Sequence, residues 1–600
     1  MALRAGAESR GKRHGVVALT RDGAPMSSAP QDQRDELRAP ASEFDAIVVG
    51  AGFSGLYMLH RLRDTLGLSA RVFEAADDVG GTWYWNRYPG ARCDSESYFY
   101  SFSDRLSEDL LQEWTWTERF APQPEILSYL QHVADRYDLR KDIQFSTRVV
   151  AAEYDDATGR WVVRTDDGRQ VTARFLITAV GCLSTTNLPD FPGRDSFLGD
   201  SYHTGVWPHE GVDFTGKRVA VIGTGATGVQ AIPEIAEQAA HVYVLQRTPN
   251  YDIAGGNRPM TAEDAQQIKA NYRDIWQATR ETAFGFPYDV ANRTALSVSE
   301  QERQRIFAEA WERGGFRLGT TFNDLLLDLE ANETASEFLR ARIRERVRDP
   351  EIAELLSPRD HPFFTKRPPL ENGYYETFNR DNVTLVNLRK SPIQEITPTG
   401  VRTTDAEYEV DSIVYATGFD AMTGTLFKLG IRGRNGLGLR EKWADGPRTY
   451  LGIATHGFPN LFMITGPQSP SVLSNMPVSI EQHVDWITDC LRHLRETGRD
   501  TIEPLPSAED DWVDHHNEVT QTTLLPMADS WWVGANIPGK PRNLYPYVGG
   551  VGTYRQICDE VAARDYDGFG RGSGGTASDG QFTGTARAKF TDIAAATTAS

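Results

Sequence analysis

Two glycine-rich turns, each set between an apolar run and an amphipathic one, constrain the fold of this chain more than anything else in it. The first is Gly50-Ala-Gly-Phe-Ser-Gly55, which follows the strand-like run Phe44-Asp-Ala-Ile-Val-Val49. The pattern predicts a helix over Leu56 to Leu66 and a second strand over Ala70 to Glu74, with Glu74 19 residues past Gly55. In such a unit the first glycine permits a tight turn, the second lets backbone amides approach a pyrophosphate, and the third lets helix pack on strand. The helix N-terminus attracts the anion, and the acid that closes the second strand accepts hydrogen bonds from a ribose.

The plan recurs with one change. Val219-Ala-Val-Ile222 leads into Gly223-Thr-Gly-Ala-Thr-Gly228, a helix from Val229 to about Gln238 and a strand over His241 to Leu245. Arg247, 19 residues past Gly228, and Thr248 stand where the first unit has a carboxylate. A guanidinium binds a 2′-phosphate that a carboxylate repels; a solvated surface arginine is the plainer alternative. The first site therefore suits a dinucleotide with free ribose hydroxyls and the second suits NADPH, as in a flavoprotein reduced by a nicotinamide. The expected fold class is α/β, with two Rossmann-like dinucleotide-binding domains and a helical insertion.

Six hundred residues suit two to four domains. The apolar strand Asp411 to Phe419, ending in Ala416-Thr417-Gly418, resembles the strand that returns such chains to their FAD domain, and Phe175 to Gly181 plays a similar part earlier. The expected organisation is a disordered leader (1–43), an FAD domain (44–182 and 384–568), an NADPH domain (183–250 and 362–383), a helical insertion (251–361) and a disordered tail (569–600). Within the insertion, helices are expected over Ala262 to Arg280 and Glu300 to Arg313, the latter opened by a capping box of Ser299 and Glu302.

A net charge of -20 argues against nucleic acid or an anionic membrane as partner. The four cysteines form no CxxC pair, so neither a disulfide framework nor a metal site is expected, and a dithiol reductase is disfavoured. No apolar run reaches the roughly 18–20 residues of a membrane span. These features suit a soluble cytoplasmic protein, monomeric or weakly oligomeric.

Two loops carry unusual chemistry. Gly80 to Asp94 (GGTWYWNRYPGARCD) crowds aromatics beside glycines, as either a hydrophobic plug or the wall of a flavin ring with Asp94 at its edge. Thr365-Lys366-Arg367-Pro368-Pro369 places two cations on a stiff turn, which read locally is an anion site or an ordinary surface pair. Between the glycine turns lies Phe197-x-Gly199-x-x-x-His203-x-x-x-Trp207-Pro208.

That last pattern, directly before the second glycine turn, resembles the fingerprint of the type I Baeyer–Villiger monooxygenases at every fixed position, and the Gly80–Asp94 loop resembles their second motif. The resemblance runs over about residues 44–568, through Lys366-Arg367 and the Ala-Thr-Gly strand to Ser530-Trp531 and Gly534–Lys540, and is strongest to the phenylacetone and steroid monooxygenase branch. It implies FAD reduced by NADPH, reaction of the reduced flavin with dioxygen to a flavin peroxide, and insertion of one oxygen atom beside a ketone carbonyl to give an ester or lactone. An N- or S-oxygenating flavin enzyme is the alternative. Arg367 is then the catalytic arginine, Asp94 the residue that positions it, and Lys366, Arg247 and Thr248 the contacts of the NADPH 2′-phosphate.

The cofactor contacts implied in the first half are Gly50, Gly52, Ser54, Gly55, Glu74, Thr82, Trp83, Trp85, Asp94 and Tyr100. In the second half they are Thr224, Gly225, Ala226, Thr227, Gly228, Gln230, Arg247, Thr248, Lys366, Arg367 and Met476, with Trp531 closing over the nicotinamide. His203, in an expected interdomain linker, has a conformational role. The chain departs from the branch at Cys182, where a glutamine is usual, and Gln468 to Met476 is expected to line the substrate pocket.

Overall fold

The computed structural model describes residues 42–573 and 576–577. The expected leader thus lies outside the described residues except for Ser42 and Glu43, which already belong to the strand Ser42–Val49. That strand sits inside an eight-stranded sheet, parallel to Ala70–Phe73 on one side and to Gln170–Thr178 on the other. Val48 faces Val72 and Ile177 in register, and all three are buried, as strands covered on both faces require. The helix after the first turn runs over Phe53–His60 and widens into a π-turn over Arg61–Thr65. It begins three residues earlier than expected because Gly52 is its N-cap.

The second sheet has five strands, all parallel, in the order Val383–Asn387, His241–Gln246, Arg218–Ile222, Ser412–Tyr415 and Asp200–His203. Its helix Ala226–Gln238 again starts directly after the middle glycine. Both sheets are Rossmann-like, and they correct two expectations. The boundary at residue 384 does not coincide with the sheets: Val383–Asn387 and the Ala-Thr-Gly strand both pair within the second sheet, and the chain rejoins the first only at Ile431–Arg432 and Leu461–Met463. Nor is Phe197–Pro208 only a linker, since Asp200–His203 is an edge strand of the second sheet and Trp207 is buried.

The insertion is helical, with Ala262–Glu281, Glu300–Arg313, Leu329–Arg346 and Pro350–Leu356. Trp276, Phe307 and Phe338 form its core together with Phe99 and Phe120 from the first unit. Ser299 caps its helix as expected, but Glu302 pairs with Arg305; the reciprocal capping box is at Thr261 and Asp264. The expected disordered tail also begins too early at 569. Phe569–Ser573 pairs antiparallel with Thr501–Pro504, because Phe569 is anchored against Tyr450 and Trp486. No helix among the described residues is long and apolar enough to cross a membrane.

Burial sets a pH dependence of stability. It pushes His203, His515 and His516 each down to about 4 and His483 down to about 3. Between these values and the ordinary 6.5 the unfolded chain binds more protons than the folded one, so stability falls as pH falls through that window. Buried Glu481, pushed up to about 7, acts in the opposite sense, as do the raised carboxyls of Glu74, Glu125, Asp252, Glu371 and Asp559, while burial also lowers His60, His209 and His361 and adds to the histidine side. Thermal denaturation should therefore show a decreasing midpoint from pH 6.5 to 4, and replacing His516 by Asn should flatten the slope.

Candidate active site

The first glycine turn has no room for side chains. A Cβ on Gly55 would lie 1.8 Å from the Gly50 carbonyl oxygen, and one on Gly50, whose φ is +105°, would lie 2.5 Å from the oxygen of Ala179. Gly52 meets Gly81 almost backbone to backbone, at 3.3 Å from its built Cβ, and Gly80 N donates to Ala51 O at 3.1 Å. The aromatic loop is thereby seated on the turn. Glu74, buried at the end of its strand, accepts hydrogen bonds from Ala51 N at 2.7 Å and Ala76 N at 2.8 Å, while burial pushes its carboxyl upward. A tight cradle, a helix start without a side-chain cap and a carboxylate fixed at its edge fit a dinucleotide whose ribose is not phosphorylated.

The loop carries its aromatics inward from there. Trp83 Nε1 donates to the Tyr100 hydroxyl at 3.3 Å, and Tyr100 meets Phe53 edge-on at 5.4 Å. Thr82 starts the short helix Thr82–Trp85 and is exposed, Trp85 is half-buried, and Ser54 is buried in the first helix turn. At the end of the loop stands Asp94, and across from it Arg367. Nε of Arg367 donates to Asp94 Oδ2 at 2.6 Å and Nη2 to Oδ1 at 2.8 Å, a fork matched to the carboxylate. Nη1 donates to Val472 O at 2.8 Å, and the guanidinium lies 4.8 Å from the Phe316 ring. Burial alone lowers the pKa of this group; the Asp94 carboxylate overrides it and holds the arginine charged.

Val472 belongs to a loop in which Thr465, Gln468 and Ser471 all adopt left-handed backbone angles, with φ of +54°, +67° and +41°. Such angles persist only where the surroundings over-determine them. Here Ser471 Oγ lies 2.9 Å from Cys182 Sγ, and Gln468 Oε1 accepts from Thr449 N and Oγ1. Cys182, the departure from the family branch, is buried in an apolar cluster with Met422, Val472, Trp532 and Leu544. Met476 opens the helix Met476–Glu496 and packs on the same cluster, as does Trp531 beside Trp532.

The second turn gathers cations. Arg247 is exposed at the end of its strand and Lys366 is half-buried; burial lowers the lysine pKa, Asp360 opposes this, and Arg247 adds to it. Thr224 Oγ1 donates to Thr248 O at 3.2 Å. Gly225 has nothing within 4 Å of a built Cβ, and the helix beyond it, through Ala226 and Thr227, has no side-chain cap. An open turn with free amides beside placed cations fits a phosphorylated dinucleotide. Sequence reasoning missed Arg389, whose Nη2 donates to Thr248 Oγ1 at 3.3 Å and which pairs with Asp360. It also missed the protein partners of Gln230, given there only as a coenzyme contact: Oε1 accepts from the Tyr88 hydroxyl at 2.8 Å and Nε2 donates to Arg92 O at 3.1 Å. Gln230 thus clamps the aromatic loop of the first unit to a helix of the second.

The fingerprint makes a second clamp. Trp207 N donates to Trp85 O at 3.4 Å. His203 Nδ1 accepts from Gly205 N at 3.0 Å, which leaves the proton on Nε2, 3.3 Å from Asn187 O and 3.4 Å from Thr417 Oγ1 of the Ala-Thr-Gly segment. Asn187 Nδ2 continues to Asn536 O, and Lys540 Nζ reaches Asp420 Oδ1 and Ala421 O, both at 2.6 Å. The segment carrying Trp531 is thus tied down at Asn536 and Lys540, two anchors that no sequence signal had marked as polar partners of the 418–421 turn.

Comparison with known proteins agrees with this geometry. The pattern of the flavin-binding monooxygenase-like family matches residues 45–255. A Baeyer–Villiger monooxygenase of Pseudooceanicola batsensis is 44% identical over 538 residues, covering 89% of this chain and 97% of that protein. A phenazine N-monooxygenase of Lysobacter antibioticus is also 44% identical, over 88% of this chain and 97% of its own length. The solved structure of an oxidized steroid monooxygenase bound to NADP is 52% identical and superposes with a TM-score of 0.85 over 89% of this chain and all of that one. With the fingerprint, the two cradles and the paired arginine all in place, the chain belongs to the type I Baeyer–Villiger monooxygenases, which use FAD, NADPH and dioxygen to convert ketones into esters or lactones.

Proposed function

We propose that Arg367 is the catalytic cation of this reaction, positioned by Asp94, and that a ketone binds against the apolar cluster around Cys182, Met422, Val472 and Trp532. The observation that carries the reading is the fork between Arg367 and Asp94. A guanidinium has five N–H donors; Asp94 and the Val472 carbonyl take three of them. Two remain, on a group that keeps its charge through every step and is fixed by its partners rather than by solvent. FAD, when bound, would carry the two electrons taken from NADPH and activate dioxygen with them. The two free N–H groups stabilise negative charge that develops on oxygen during transfer, and the surrounding aromatic and aliphatic side chains exclude water. His203 is given no part in proton transfer, since both of its ring nitrogens are engaged by the backbone, at Gly205 N and Asn187 O. The test is ketone-dependent NADPH consumption over aryl, cyclic and steroidal ketones, with ester or lactone as the expected product. A chain that oxygenates only amines or sulfides under the same conditions would overturn the reading.

Lys366, Arg247 and Thr248, joined by Arg389, are proposed to hold the NADPH 2′-phosphate. Hydrogen bonds to a charged group are worth about 1.5–3 kcal/mol, less where solvent screens them. Arg247→Ala should raise KM for NADPH by about tenfold and Lys366→Ala by more, with KM for NADH nearly unchanged in both. Steady-state kinetics with the two coenzymes checks this, and an equal rise for NADH would place these cations elsewhere.

A further inference from the structure

Away from both glycine turns, where the helices Met476–Glu496, Val551–Ala563 and Ala262–Glu281 meet, lies a cavity of about 280 Å³. Gln482, Trp486, Asp485, Arg280 and Arg555 line it, and none of them contacts the Arg367 centre or the cation cluster described above. Gln482 is 4% exposed; one N–H of its Nε2 faces the Cys558 thiol, and the other N–H and Oε1 have no hydrogen-bond partner. Arg555 Nε is likewise buried without a partner. The other charges of the inner wall are matched: Asp485 pairs with Arg61 and Arg105, and Arg280 with Asp104. The carboxylates that remain, Glu281, Asp489 and Asp559, lie at the rim, where Asp489 pairs with Arg492 and Asp559 lies near enough to Arg555 to attract it without forming an ion pair. Buried polar groups left unpaired are destabilising and call for a bound partner. The groups unmatched at the inner wall are a guanidinium and an amide donor, and among the described residues no cluster of His, Cys, Asp or Glu could hold a metal ion.

We propose that this cavity is a binding site for a small oxyanion, phosphate or carboxylate, held by the Arg555 guanidinium and the Gln482 amide. The anion meets a fork of N–H donors from Arg555 and one from Gln482 Nε2, while Trp486 closes one wall. Bound there, it links the insertion helix Ala262–Glu281 to the helix whose first residue, Met476, reaches the candidate substrate pocket.

The test is calorimetric titration of inorganic phosphate, and separately of acetate, into the FAD-loaded enzyme saturated with NADP+, so that the coenzyme phosphate site is already filled. One phosphate or acetate per chain is expected, at constant ionic strength. Arg555→Met and Gln482→Leu should each raise Kd at least about tenfold, the size of one charge-assisted hydrogen bond, and Arg555→Lys should recover part of the loss. Absence of heat from both anions in the wild-type enzyme overturns the proposal, and so does unchanged affinity in Gln482→Leu, which keeps every charge. Should Arg555→Met fail to fold, the Gln482→Leu titration decides alone. A preference for acetate over phosphate identifies a carboxylate as the ligand.

Discussion

Replacing Arg367 by Ala should abolish ester formation while the enzyme still binds FAD and oxidises NADPH. Loss of a single preorganised donor at a developing oxyanion lowers rate by about 10²–10³, and Arg367 offers two free N–H groups and a full charge, so a fall of at least about 10³ is expected. The electrons then leave as hydrogen peroxide, which a coupled peroxidase assay measures beside ester yield. Arg367→Lys keeps the charge but not the fork to Asp94 and should fall between the two. Asp94 is 25% exposed in the pair, so losing its partner leaves a carboxylate that water can partly solvate. FAD content therefore reports whether the site survives. The same variant separates ketone from heteroatom chemistry, the reaction named for the phenazine N-monooxygenase that is, like the Pseudooceanicola enzyme, 44% identical to this chain. Oxygen transfer to an amine or sulfide needs no cation to stabilise a developing oxyanion. Persistence of lactone formation in Arg367→Ala would remove Arg367 from the mechanism.

Local sequence showed what depends on neighbours in the chain. Glycine at 50, 55, 223 and 228 is demanded by backbone contact within one turn or with the adjacent strand, and periodicity alone placed the strands around them. Contacts that depend on which strand lies beside which were hidden. Arg389 joins the cation cluster because Val383–Asn387 pairs with His241–Gln246, with Asn387 opposite Gln246. The residues just beyond both strands then emerge side by side. A reading that moved the chain to the other domain at 384 could not see this. Asp94 and Arg367 are 273 residues apart, and nothing in either loop specifies that they meet; only resemblance to a family paired them. Gln230 has protein partners that its place in the turn did not show. Its place in the turn suggests a coenzyme contact, but a helix that packs against a loop of the other unit spends its polar side chains on that loop. Asn536 and Lys540 lie in a stretch that only the family resemblance singled out, and their role as anchors was hidden because their partners at 419–421 lie more than a hundred residues upstream.

The second glycine turn permits a prediction that separates folding from coenzyme binding with one methyl group. A Cβ on Gly228 would lie 2.3 Å from the Gly223 carbonyl oxygen, backbone that cannot give way without moving the helix Ala226–Gln238 off its strand. Gly228→Ala should therefore lower the thermal midpoint and lose NADPH-driven flavin reduction together. Gly225 differs in both respects that matter. Its φ of -84° suits any residue, and a built Cβ meets nothing within 4 Å. Gly225→Ala should keep the midpoint and the FAD content of the wild-type enzyme. The new methyl nevertheless occupies the open side of the turn, where the free amides of Ala226 and Thr227 would meet a pyrophosphate. KM for NADPH should then rise at least about tenfold, the loss of roughly one hydrogen bond to phosphate. Both variants leave Arg367 and Asp94 untouched, so hydrogen peroxide should not replace ester in whatever turnover remains. If Gly225→Ala binds NADPH as the wild type does, the coenzyme does not approach this turn, and Arg247, Lys366 and Arg389 are cations without the phosphate assigned to them.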